Sequence, residues 1–279
     1  MSKRKFEARV SDRLRHFLSL CLTTCSLCPF LNLHASPTTS VSFTPTLTSF
    51  HFEEFNENNK SLNTEKGVLP GIGVSIRRSH KYLNSEWELA MLDGSVKYEG
   101  FTNKGSIETT NTQERIVSLN LLLNKSFYDN NNYSVAVTSQ FGYRYWKRNI
   151  ESTQTTMGPL EFYTWTYFGA GLSLGYSTEK IKLDTRLTFL LAPQANIAFH
   201  LPEFDTTKTS LGQTRGLEFN FSVSDKKQII SLVAFAKVWS IQKNRPVTLH
   251  KNGAPTNILL TEPKSDTKII GIGLNFPLQ

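Results

Sequence analysis

Apolar side chains recur at every second position from Val41 towards the C-terminal end, and no helical period of 3.6 is sustained. The clearest run is 133–145, in which tyrosine, valine and phenylalanine alternate with serine, threonine and glycine. This alternation predicts strands with one apolar and one polar face. Ten segments carry it: 41–55, 68–80, 85–98, 114–125, 132–148, 160–176, 180–192, 214–223, 228–242 and 266–277.

The predicted strands are long, and the connections between them alternate in length. A tilted strand crosses a bilayer with about 9–11 residues, whereas soluble strands most often have about 5–6. Short connections are expected at 81–84, 126–131, 177–179 and 224–227, and long ones at 56–67, 99–113, 149–159, 193–213 and 243–265. This rhythm predicts an all-β fold: a transmembrane antiparallel up-and-down β-barrel of about ten strands, with short periplasmic turns and long outer loops. The rival is a soluble β-sandwich or a lipocalin-like barrel.

Aromatic residues near the strand ends favour the membrane, because aromatic girdles mark the two bilayer interfaces of such barrels. We expect these girdles to include Trp87, Tyr145, Trp146, Phe162, Tyr163, Trp165, Trp239 and Phe276.

If the apolar faces meet lipid, charged side chains on the opposite faces point into the lumen. The predicted lumen network comprises Arg77, Glu88, Arg144, Glu161, Lys182, Asp184, Arg186, Glu218 and Lys237. Because both charge signs are present, these residues can pair into a salt-bridge plug. The alternative is a selectivity lining for a small solute or ion. Ten strands make a narrow barrel, which favours the plug.

The first 35 residues have the composition of a secretory signal peptide: a basic start, then a mostly apolar run from Phe17 to Leu33. We therefore predict a leader at 1–35 and an outer-membrane β-barrel domain at 36–279. All three cysteines lie in this leader, so neither a disulfide framework nor a cysteine-ligated metal is expected afterwards. The leader also holds six of the 31 basic residues, which leaves 25 basic and 21 acidic ones. The basic balance is thus no nucleic-acid signature, and no nucleic-acid partner is expected.

The last predicted strand resembles the C-terminal assembly signal of bacterial outer-membrane proteins. In that signal a glycine precedes two apolar or aromatic residues spaced by two, and Gly271, Leu274 and Phe276 fill these places. The first hairpin, with Glu53-Glu54-Phe55-Asn56 and Gly67-Val68-Leu69-Pro70-Gly71, is similar to openings of small proteobacterial outer-membrane barrels. The resemblance implies Gram-negative outer-membrane lipid, lipopolysaccharide and the barrel-assembly machinery as partners. It implies no activity and no extracellular ligand.

Candidate chemistry is sparse. The sequence has no HExxH, GxSxG, P-loop or GxGxxG motif. His200, Glu203 and Asp205 share one predicted loop, where they suit a metal or acid–base site, but an ordinary solvated loop is favoured. Omptin proteases resemble the predicted layout, but their Asp-x-Asp and Asp-x-His pairs are absent. No catalytic, cofactor-binding or metal-binding residue is therefore predicted.

Three functions fit these observations. The first is a non-enzymatic outer-membrane barrel with a structural or binding role at the surface. The second is a narrow channel or transporter for small solutes. The third is a hydrolase with the omptin layout, but the absence of the Asp-x-Asp and Asp-x-His pairs argues against it.

Overall fold

The computed structural model describes residues 38–80, 83–101, 105–130, 132–154, 156–225 and 229–278. The predicted leader, 1–35, lies outside these residues. Fourteen strands occur in the described part of the chain: β1 (Thr38–Phe55), β2 (Ser61–Ser79), β3 (Asn84–Phe101), β4 (Ile107–Asp129), β5 (Tyr133–Ile150), β6 (Leu160–Ser177), β7 (Ile181–Ala192), β8 (Ala195–His200), β9 (Thr207–Leu211), β10 (Thr214–Asp225), β11 (Ser231–Ile241), β12 (Val247–Lys251), β13 (Ala254–Leu260) and β14 (Lys264–Leu278). No helix among the described residues has the length and apolar character to cross a membrane.

Ten of these strands close into an antiparallel barrel in the order β1-β2-β3-β4-β5-β6-β7-β10-β11-β14, and β14 pairs back with β1. The predicted fold class and strand number are confirmed. Thr38 and Leu278 both lie at the end of the barrel that carries the tight connections 80–83, 130–132, 178–180 and 226–230. We call this the turn end and the opposite end the loop end.

The predicted long connections are wrong in extent, because the strands continue towards the loop end. The first and second are reduced to 56–60 and 102–106. The fourth is mostly a hairpin: β8 extends the line of β7 along β6, and β9 pairs with β8. The fifth contains the β12–β13 hairpin. Of the five, 149–159 stays closest to prediction, as the connection 151–159.

The predicted strands end too early because the polarity of the two strand faces reverses along the barrel. In the turn-end half, apolar side chains point outwards and are exposed, and Phe189 reaches 67%. Beyond this belt the outward positions become polar, as with Asp93, Arg115 and Lys268. A search for apolar outward faces therefore ends each strand too early. Members of the belt include Phe43, Leu47, Ile72, Val74, Leu89, Phe141, Phe168, Leu172, Leu187, Phe219, Ile270 and Ile272.

Inside the loop-end half, apolar and aromatic side chains replace the polar lining. Trp146, Tyr163, Trp165 and Trp239 are fully buried there, so the expectation that they lie in interfacial girdles is wrong. Alternation explains their position: Trp146 is two residues from Arg144 and therefore shares its inward face.

Candidate functional site: the barrel lumen

The turn-end half of the lumen contains a cavity of about 1020 Å³ that is lined by charged, hydroxyl and apolar side chains. Its walls are built largely from small inward residues, among them Ser42, Thr44, Ser118, Ser134 and Ser173. Because side chains alternate between the two faces of a strand, the strands that send Phe43 or Leu119 outwards place these hydroxyl groups inside. The cavity reaches the turn-end rim at Thr39, Ser79, Asn84 and Pro277.

Most of the predicted network lines this cavity as ion pairs. Arg77 contacts Glu86 at 2.9 Å, and Lys182 contacts Asp184 at 3.0 Å. Arg186 lies 3.5 Å from Glu88 and 3.8 Å from Glu218, which pairs with Lys237 at 2.5 Å. These pairs differ in depth, because Glu218 and Lys237 are buried whereas Lys182 and Asp184 border the open cavity.

Arg144, also in the predicted network, stands apart from these pairs. It is 2% exposed and lines the cavity. Its Nε and Nη2 atoms have no hydrogen-bond partner, and no carboxylate of the described residues lies within ion-pair distance. Its guanidinium carbon lies 5.3 Å from the centroid of the Trp165 ring, a cation–π contact.

An aromatic layer closes the lumen above the cavity. Trp146 stacks on Tyr163 at 4.8 Å between ring centroids, and the edge of Phe52 meets Trp146 at 5.3 Å. Trp239 packs edge-on against Trp165 at 5.5 Å and Tyr167 at 5.0 Å. Leu69, Leu92, Ile116 and Ile269 fill the space around these rings.

One inward glycine makes room for this layer. A Cβ atom on Gly142 would lie 2.3 Å from a ring carbon of Tyr167, its cross-strand partner. A side chain at this position would displace the Tyr167 ring, so the glycine is needed for the ring to cross the lumen.

A single cation surrounded by carboxylates lies above the aromatic layer. Arg148 is fully buried and contacts Glu161 at 2.6 Å, Glu65 at 2.7 Å, Glu54 at 3.2 Å and Glu114 at 3.9 Å. The face of Phe52 lies 4.1 Å from the guanidinium carbon. Glu161 of the predicted network thus belongs to this separate cluster.

The sequence reasoning missed Arg148, Glu54, Glu65 and Glu114. The alternation was visible, because Arg148 lies four residues after Arg144 on the same face and Glu54 two residues after Phe52. A polar face opposite an apolar one does not identify them, because in the loop-end half the outward face is polar and the inward face carries the aromatic side chains.

A smaller pocket of about 350 Å³ opens at the loop end beside this cluster. Glu54, Glu161 and Glu262 lie at its base, and Phe101 and Met157 line it as well. Glu262 lies between strands, where the Tyr163 hydroxyl donates a hydrogen bond to it. Burial raises the pKa of the Glu262 carboxyl well above its ordinary value of 4.5, and repulsion from Glu54 and Glu161 adds to the rise.

His200, Glu203 and Asp205 do not converge on one site. His200 Nδ1 lies 3.3 Å from the Thr206 hydroxyl, and Glu203 pairs with Lys251 at 3.1 Å. A carboxylate oxygen of Asp205 accepts a hydrogen bond from the Gly253 backbone N–H at 2.8 Å. These contacts attach the β8–β9 connection to the β12–β13 turn. No group of three or more potential metal ligands occurs among the described His, Cys, Asp and Glu residues.

A closed barrel leaves no sheet edge unpaired, and an apolar outer belt around it is the construction of proteins that cross the bacterial outer membrane. The protein is an outer-membrane β-barrel.

Solved structures of bacterial outer-membrane proteins are similar to it. The outer membrane protease OmpT from Escherichia coli superimposes with a TM-score of 0.57 at 11% identity, over 90% of this chain and 99% of that one. The attachment invasion locus protein Ail of Yersinia pestis gives 0.33 at 10% identity, over 86% and 98% of the two chains. The translocator domain of the autotransporter NalP from Neisseria meningitidis gives 0.36 at 10% identity, over 99% of each chain. No protein-family model and no curated protein sequence matches the chain. Likeness at these identities concerns the fold alone.

Proposed function

We propose that the protein is a non-enzymatic, non-conducting barrel that presents a rigid binding surface on the outside of the outer membrane. The observation that carries this proposal is the closure of the lumen by the aromatic layer and the Arg148 cluster. Trp146, Trp239, Tyr163 and Tyr167 are each at most 1% exposed. Large side chains buried on all sides fill the lumen at this level, which supports a barrel that does not conduct.

The loop end has the features of a binding surface. Its strands continue past the apolar belt with polar outward faces, so this half of the barrel stands in water. Phe101, Ile107 and Met157 are 58%, 76% and 59% exposed, and two of them line the loop-end pocket. Exposed apolar side chains at the rim of a pocket are typical of interaction sites.

Planar-bilayer recording of the refolded protein tests the closed lumen. We expect no steady current, while a porin of about 16 strands in the same bilayer conducts and validates the recording. Stable single-channel steps, with an ion selectivity that Asp184→Ala alters, would instead support a narrow channel. The specific observation in favour of that alternative is the turn-end cavity, which could serve as its vestibule.

β14 is proposed as the assembly signal that the barrel-assembly machinery reads, with lipid and lipopolysaccharide as the partners of the outer belt. Ile270 and Leu274 point outwards on the belt, where they are 60% and 45% exposed. Gly271 points inwards beneath the ring of Phe235. Phe276→Ala should lower the amount of barrel in the outer membrane more than Ile270→Ala does. Equal yields of the two variants would argue against the signal.

A further inference from the structure

The charges that line the turn-end cavity do not balance. Its four carboxylates are all used in the ion pairs of Arg77, Lys182, Arg186 and Lys237. Arg144 is the fifth cation on this wall. No carboxylate of the described residues forms an ion pair with it, and Glu218 and Glu114 act on it only at longer range. One positive charge in excess therefore sits where the cavity ends against the aromatic layer.

An unpaired buried guanidinium is costly. Arginine does not lose its proton in proteins, so Arg144 cannot escape the cost of desolvation by becoming neutral. The Trp165 ring is a weak substitute for an anion, and Nε and Nη2 remain without a hydrogen-bond partner. Buried polar groups in native proteins are almost always paired, so Arg144 calls for a partner that the described residues do not supply.

We propose that the turn-end cavity binds a small molecule with a carboxylate or phosphate group and that Arg144 holds this group. The positive charge of the guanidinium favours an oxyanion over a neutral ligand, and because Nε and Nη2 are enclosed by protein, the anionic group meets Arg144 at Nη1. The volume of about 1020 Å³ lies at the upper end of the range for small-molecule sites.

The remaining wall carries hydroxyl groups and also apolar side chains, among them Leu92, Ile116 and Phe235. The hydroxyl groups of Ser42, Thr44, Ser118 and Ser173 can donate to and accept from a hydroxylated body. Because the cavity reaches the rim at Ser79 and Asn84, the ligand enters from the turn end, which the short turns place on the periplasmic side. The site is separate from the loop-end surface of the proposed function.

Titration calorimetry on the refolded full barrel in detergent tests this site, with inorganic phosphate and acetate as probes. Chloride buffers of matched ionic strength remove general screening effects. We expect wild-type protein to bind at least one probe, and the stronger of the two identifies the anionic group. Arg144→Met should weaken that binding at least about tenfold, because a charged hydrogen-bonding partner is lost. The control Arg215→Met removes an exposed cation outside the cavity and should leave binding unchanged.

Unfolding in urea gives an independent readout. In chloride alone, Arg144→Met should be at least as stable as wild type, since an unpaired buried charge is removed. The binding probe should raise the midpoint of wild type and leave that of Arg144→Met unchanged. Wild type that binds neither probe, or equal midpoint shifts in both proteins, would overturn the proposal. If Arg144→Met does not fold, Arg144→Gln takes its place, and the wild-type titration alone still decides whether an oxyanion binds.

Discussion

Two arginines four positions apart on β5 have opposite surroundings. Arg144 faces the turn-end cavity without a carboxylate partner, whereas Arg148 is held by carboxylates from β1, β2 and β6 within 3.2 Å. The two side chains lie on the same face of one strand. The difference therefore arises from the residues that face them across the lumen. Residue type and alternation are therefore the same for both, and only the closed barrel distinguishes their roles.

Replacement of Arg148 by methionine should be among the most damaging single changes in the lumen. It leaves Glu54, Glu65 and Glu161 buried without a cation, and breaking a buried pair in this way costs about 3–5 kcal/mol. The free energy of unfolding in urea, measured in lipid vesicles, checks this value.

The matched comparison is Asp184→Ala, which also removes one member of a lumen ion pair. The Asp184 and Lys182 side chains are 44% and 33% exposed at the open cavity, so the cost should stay below about 1 kcal/mol. Equal losses for Arg148→Met and Asp184→Ala would show that the upper cluster is not the buried centre of the network.

Glu262 should make the folded barrel less stable as the pH rises. In the unfolded chain its carboxyl ionises near 4.5, but in the folded protein the raised pKa keeps it protonated to higher pH. The folded state is therefore disfavoured progressively as the pH rises above about 4.5, and the loss is complete above the folded pKa. Urea unfolding between pH 4.5 and 8 should show this loss, and Glu262→Gln should reduce it. Glu57→Gln, at an exposed turn, should retain the wild-type slope.

At the scale of the element, the long strands join two stretches with reversed faces. β3 shows both: Leu89 points outwards on the belt, and Ser95 points outwards six residues further along, beside Gln113. A rise of about 3.3 Å per residue separates them by roughly 20 Å along the strand. The reversal marks where the barrel leaves the hydrocarbon region, because an apolar face is stable outside only against lipid.

Arginine substitutions on β3 test where the membrane ends. Leu89→Arg should cost about 2–4 kcal/mol of folding free energy in lipid vesicles, the range for a cation at the bilayer midplane. Ser95→Arg adds the same side chain to the same face of the same strand and should cost little. Similar losses at both positions would contradict the assigned belt.

At the scale of the whole molecule, the turns and hairpins orient the barrel. Short turns face the periplasm in outer-membrane barrels, so the connection at 56–60 should face the outside and that at 178–180 the periplasm. Asn58→Cys should react with a membrane-impermeant maleimide in intact cells. Glu179→Cys should react only after the outer membrane is permeabilised. All three cysteines of the sequence lie in the predicted leader, so its removal should keep background labelling low. The reverse labelling pattern would show that the barrel has the opposite orientation.

The sequence determined the fold class and the number of barrel strands. These properties are local: a period of two assigns alternate residues to opposite faces, and turn residues separate the segments. It did not determine the strand lengths, because the loop-end half obeys the opposite polarity rule. It also did not determine the contacts of Arg148 with Glu54 and Glu65, which lie 94 and 83 residues away in the chain. Those contacts cross the lumen, and only closure of the barrel at a fixed stagger between strands brings such residues to one level.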